Sequence, residues 1–159
     1  MTVITVTSPS GRFDLAQRRE LARTLTDAVL APEVGQQADA ARPGFQVHFV
    51  DVPADHFAIG GALVADTGLD TLVVDVAVMD SHWPQQVRST VITNLLSALA
   101  AATGMGTPAP GWWVNFRVID EGSWGSSGHV LSIHDLLASG VFTDEKVAAI
   151  EATTPRFED

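Results

Sequence analysis

Apolar and polar residues alternate along "FQVHFVDV" (45–52) and again along "WWVNFRVI" (112–119), the period of a strand with one buried face. Two further segments, "VITV" (3–6) and "TLVVDVAV" (71–78), are short β-branched runs and read as strands. Between the strands the period changes. Leu21, Leu25, Ala28 and Val29 recur at helical spacing, as do Val87, Val91, Leu95 and Leu99. Asp14 with Gln17 three residues on forms a capping-box pattern at the start of the first helix. Pro84 suits the first turn of the second helix, and Gly104 ends it. "SPSGRF" and "DSHWP" break the leading strands, and residues 32–43, rich in Gly, Ala and Gln, read as a loop.

The order strand, helix, strand thus occurs twice, and each copy is followed by an aromatic and glycine element, "HFAIGG" (56–61) and "SWGSSG" (123–128). Val47 matches Val114, Phe49 matches Phe116, Phe57 matches Trp124 and Gly61 matches Gly128, all at an offset of 67 residues. Each half is read as a β-α-β unit with a short hairpin: residues 1–66, then 67–131, then a C-terminal extension over 132–159 with a helix near Thr143–Ala152 and an acidic end. The fold class is α/β (α+β), a single domain. Parallel strands joined by a crossover helix belong to one sheet, so two units give four strands with two helices on one face. Alternation places Val47, Phe49, Val114 and Phe116 under the helices. Gln46, His48, Trp113, Asn115 and Arg117 fall on the bare face, which another subunit is expected to cover.

Composition narrows the function. With 46% apolar residues the chain can build a core, and no run reaches the length of a membrane span. The N-terminus lacks the basic and apolar regions of a signal peptide, and there are no cysteines, so a cytoplasmic location is expected, with neither disulfides nor thiolate chemistry. The formal net charge is −10 and Lys146 is the single lysine, so neither nucleic acid nor a membrane is an expected partner. Any anion site must be built locally from the few arginines.

Two fused β-α-β units, a start of "TVITV", "SGRFDLAQ" before the first helix and "HFAIGG" after the next strand together resemble the tautomerase superfamily. The first half is similar to a single subunit of 4-oxalocrotonate tautomerase; length, doubled unit and tail are more similar to cis-3-chloroacrylic acid dehalogenase. The resemblance covers about residues 2–131. It implies a homotrimer whose sheets line a barrel, active sites between subunits, no cofactor, and a small keto/enol or unsaturated carboxylic acid as substrate, changed by proton transfer or hydration. Family chemistry uses an amino-terminal proline as general base, a role that suits an α-amine because its ordinary pKa is near neutrality.

Here Thr2 stands where that proline belongs. Either Met1 is removed and Thr2 offers a primary amine, or Met1 stays and the amine is displaced by one residue. The resemblance assigns Arg12 to the substrate carboxylate, a task that suits the planar guanidinium fork. It puts Gln46 where a second arginine belongs and makes Phe57 the aromatic that lowers pocket polarity. Set against the dehalogenase, its catalytic positions fall at Val29, Met79, His82 and Asn115, with Ser126 nearest the last, so dehalogenation is disfavoured. His48 and Arg117 lie outside these correspondences; His48 is an alternative base, and Arg117 an anion ligand or a partner of Asp51 or Asp75. Asn115 and Arg117 complete the candidate substrate-binding set. His129 and His134 do not have metal-ligand spacing, and no metal is expected. "GSWGSSG" precedes no helix and is a weak phosphate loop. A descendant that has lost its base, serving as a trimeric binding protein or scaffold, is the alternative to an enzyme.

Overall fold

The computed structural model describes residues 1–157; the last two residues of the expected acidic end lie outside them. Four strands form one sheet in the order β2-β1-β5-β6, where β1 is Thr2–Pro9, β2 Phe45–Val52, β5 Thr71–Met79 and β6 Gly111–Ile119. β1 runs parallel to β2 and β5 parallel to β6, while β1 and β5 are antiparallel, with Thr2 opposite Val78. Two β-α-β units therefore meet along their first strands, and β2 and β6 are the sheet edges. Within one chain the sheet is open; the barrel expected from the sequence would need further copies. Each unit carries a two-stranded hairpin: β3 (Ala58–Ile59) with β4 (Ala62–Leu63), and β7 (Gly125–Ser126) with β8 (His129–Val130). A short helix α2 (Val64–Thr67) spans the boundary between the units.

Helices α1 (Leu15–Val34) and α3 (Gln85–Ala102) lie side by side on one face. Asp14 accepts from the Gln17 amide and Gln17 Oε1 accepts from the Asp14 amide, which closes the capping box. The stripes Leu21, Leu25, Ala28, Val29 and Val91, Leu95, Leu99 are buried against Ile4, Val6, Val74 and Val76 of the central strands. Phe49 and Phe116 face this core, and Trp113 is 61% exposed on the bare face, as alternation predicts.

The structure corrects the reading of residues 32–43. Helix α1 passes Pro32 and ends at Val34, and Asp39–Gly44 is a 3-10 helix. Pro32 lacks the N–H that would bond to the Ala28 carbonyl four residues back. That carbonyl instead accepts from Asn94 Nδ2 at 3.5 Å, so a neighbouring helix fills the gap in the last turn. Gly35, in the left-handed conformation at φ 88°, caps the helix.

The extension holds α4 (Ile133–Leu137) and α5 (Asp144–Thr153), the latter capped by Thr143 and within a residue of the expected helix. Ile133, Phe142 and Ile150 join Leu30, Val34 and Met79 in a second apolar cluster, with Met1 packed against it. Glu121 caps α4 by accepting from Ser132 Oγ and the Ile133 amide. Buried His134 donates Nε2–H to the Thr154 carbonyl at 2.9 Å and ties the end of α5 back to α4. A β-carbon on Gly35 would meet Thr143 Oγ1 at 2.3 Å, so the extension seats where only glycine fits.

Candidate active site at the amino terminus

Thr2 opens β1 with its side chain on the helix side of the sheet, and it is 1% exposed. Its hydroxyl donates to Glu33 Oε2, and the Met1 ammonium donates to Glu33 Oε1 at 3.0 Å. Glu33 is itself 1% exposed. A buried carboxylate requires such partners, since desolvation without them is strongly unfavourable. The Met1 carbonyl accepts from the Met79 amide, which docks the chain end on β5. Beside this pair lies a cavity of about 170 Å³ lined by Met1, Glu33, Phe45, Leu136, Val141 and Phe142 among others. The chain end and the C-terminal extension thus form its walls together.

Lys146 of α5 approaches the same region, with Nζ 5.8 Å from the centre of the Trp83 ring. Burial pushes the Lys146 ammonium below its ordinary value, against the opposing pull of Glu33 and then Glu145. Because the chain has one lysine, reductive ¹³C-methylation gives a single side-chain signal. That signal is expected to titrate below the ordinary value of 10.5. A midpoint at or above it would mean that α5 does not hold Lys146 against Trp83.

Arg12 lies elsewhere. It follows the far end of β1, about 20 Å or more along the strand from Thr2. Its Nε and Nη2 donate to the two oxygens of Asp70 at 2.9 and 3.0 Å, and its guanidinium lies 5.4 Å from the Trp112 ring centre. Asp70 immediately precedes Thr71, the first residue of the second unit's leading strand. Arg12 therefore stands beside the internal counterpart of the amino terminus, while the true terminus is at the opposite end of the sheet. Phe57, half-buried, belongs to the first hairpin region, with its carbonyl accepting from the Val64 amide. Within one chain Thr2, Arg12 and Phe57 do not form one pocket.

The remaining candidates share the open sheet face. Strand register puts His48, Thr5, Asp75 and Asn115 in one row and Gln46, Val3, Ala77 and Arg117 in the next. His48 Nε2 is 3.0 Å from Gln46 Oε1, and Asn115 Nδ2 donates to Asp75 at 3.0 Å. Thr5, Asp75, Asn115 and Arg117 help line a shallow depression of about 440 Å³. Gln46 and His48 are on one edge strand and Asn115 and Arg117 on the other, about 14 Å apart across two intervening strands.

Three features of the candidate sites escaped the sequence reading. Glu33 sits four residues after Val29 and continues the stripe Leu21, Leu25, Val29, so its burial was legible as a charge in an apolar row. Asp70 lies 58 residues from Arg12, and nothing local marks the pair. The third is a repeated arginine. Arg18 donates Nε to the Phe13 carbonyl and lies 5.7 Å over Phe49; Arg88 donates Nε to the Trp83 carbonyl and lies 5.8 Å over Phe116. The signal was an aromatic followed five residues later by arginine, repeated at 70 rather than 67 because the first unit's connection to its second strand is three residues longer.

No protein-family model matches the chain, and no curated protein matches it in sequence. Solved structures do match in fold. A native fused 4-OT superposes with a TM-score of 0.66 at 22% identity, covering 80% of this chain and 94% of that one. Q0 fused 4-OT, a symmetric trimer, gives 0.66 at 20% identity over 87% and 98%. N1, a member of the cis-3-chloroacrylic acid dehalogenase family, gives 0.68 at 18% identity over 94% and 99%. Among the described residues no helix is long and apolar enough to cross a membrane.

Proposed function

We propose, for a chain whose fold is that of tautomerase-superfamily structures in their doubled form, a homotrimer that takes a small keto/enol or unsaturated carboxylic acid and moves a proton on it slowly. The reading rests on one observation: the N-terminal amine is present at the start of β1 but donates to buried Glu33. Engaged by Glu33, the amine is directed at a buried carboxylate rather than at a substrate, so the group that would act as base is masked. The trimeric relatives in fold and the bare sheet face, with Trp113 exposed, support the assembly.

Two measurements test this. Intact mass should find Met1 retained, since the amine that donates to Glu33 and the carbonyl that accepts from Met79 are both its own and would be lost with it. Ketonisation of phenylenolpyruvate, followed in the ultraviolet, should run far below an ordinary enzyme. Turnover of order 1 per second or more would overturn the reading. The proton-transfer step requires the free amine, so its rate should rise wherever the Glu33 contact is weakened.

A second reading has its own support. Arg12, the expected carboxylate ligand, is already paired with Asp70. A chain with both its base and its carboxylate ligand engaged internally would be a trimeric binding or scaffold protein. Saturable binding of an enol-pyruvate with no turnover at any pH would select it. Light scattering that shows a stable monomer would remove the trimer from either reading.

A further inference from the structure

The two units build the same arginine device and finish it differently. In the first, the Arg18 guanidinium rests over Phe49, Phe13 packs edge-on against that ring, and Nη2 donates to both oxygens of Asp51 at 2.9 and 2.8 Å. In the second, the Arg88 guanidinium rests over Phe116 and Trp83 packs edge-on against it at a nearly equal interplanar angle, 61° against 62°. Asp51 stands two residues beyond Phe49 on β2; the residue two beyond Phe116 on β6 is Val118. Nε of Arg88 is anchored on the Trp83 carbonyl at 2.8 Å, and among the described residues its Nη groups have no acceptor.

We infer that Arg88 is an open receptor for a small carboxylate, the place that Asp51 fills from within in the first unit. The first unit shows how the ligand binds. A carboxylate over Val118 would accept from Nη2 as Asp51 does from Arg18. The guanidinium is held in plane by its anchored Nε and by the ring beneath it, so little freedom is lost when the ligand arrives. Carboxylate is favoured over a spherical anion because the planar fork matches two oxygens at once. In a chain of net charge −10, Arg88 stands apart from the other half-buried arginines among the described residues: Arg12, Arg18 and Arg42 all have carboxylate partners, and the arginines that share its lack of one, Arg19, Arg117 and Arg156, are exposed. This inference is independent of whether the N-terminal amine works as a base.

The test follows the arginine Nε–H signals by ¹⁵N NMR in the intact protein, with malonate as probe and chloride at equal ionic strength as control. Malonate should shift the Arg88 signal saturably, with half-saturation in the millimolar range, of order 1 to 10 mM. The Arg18 signal should move at least about fivefold less, because Asp51 already occupies its Nη2. Two variants exchange the roles. Val118→Asp should abolish the malonate response at Arg88, and Asp51→Val should create one at Arg18. An equal response to chloride would reduce the site to a general cation. No response at Arg88, or a loss of oligomer mass in Arg88→Gln, would overturn the inference, in the second case in favour of a contact between subunits.

Discussion

Thr2→Pro, with Met1 then excised, is expected to raise phenylenolpyruvate ketonisation by about 10²-fold, the low end of what a positioned general base supplies. The change acts in three ways at one place. Excision removes the ammonium that Glu33 now holds. Proline replaces it with a secondary amine whose direction the ring fixes. The Thr2 hydroxyl that donates to Glu33 is removed as well. The gain is held to the low end because Arg12 remains on Asp70 and Gln46 cannot supply a second charge. Mass spectrometry must first verify the processed terminus. If the processed variant shows no gain, the pocket no longer accepts the substrate, and the binding-protein reading replaces the catalytic one. Adding Asp70→Asn should then increase the gain where Arg12 serves the substrate, and leave it unchanged where it does not.

The largest effect on stability is expected from Glu33→Ala. It removes a side chain that is 1% exposed and leaves two donors behind, the Thr2 hydroxyl and the Met1 ammonium. Breaking a fully buried ion pair from one side costs about 3–5 kcal/mol. The Met1 end is 26% exposed, which lowers the expectation to about 2–3 kcal/mol. In a chain of this size that is a fall of roughly 4–12 °C in Tm. Glu33→Gln keeps the shape and one acceptor, and should lose about half as much. The urea midpoint with an unchanged m value is the check; a loss under 0.5 kcal/mol, the order of an exposed pair, would mean that the carboxylate is not the anchor of the chain end.

Most of the architecture was legible in the pattern of residues, and the candidate site was legible only in part. Alternation in 45–52 and 112–119 assigned the two faces of the edge strands because a period of two has one solution once the aromatic side is known. Helix limits were harder at Pro32, where the penalty that sequence rules assign to proline is relieved by Asn94, 62 residues away. The site fails for the same kind of reason. A resemblance carries Thr2, Arg12 and Phe57 to positions, yet Thr2 and Arg12 lie at opposite ends of β1, and so at opposite ends of the sheet within one chain. Glu33 and Asp70, which engage those two residues, make their contacts at sequence separations of 31 and 58. Pairing over such separations is set by how the units dock, and no local period encodes it.

The extension is fastened to the two units by side-chain and cap contacts: the Thr143 amide on the Val34 carbonyl, Gln36 on the Val141 carbonyl, His82 on Thr153, Lys146 over Trp83, the Glu121 cap, and a cluster separate from the main core. Such a segment opens at a lower free energy than the sheet beneath it. The amine, already 26% exposed at Met1, would become more accessible each time the extension opens. Amides of α5 should exchange with solvent hydrogen well before those of β1 and β5, and chemical capping of the Met1 amine should keep pace with α5 and not with global unfolding. A rise in the capping rate of Met1 that follows α5 exchange would then measure how often residues 143–153 lift away.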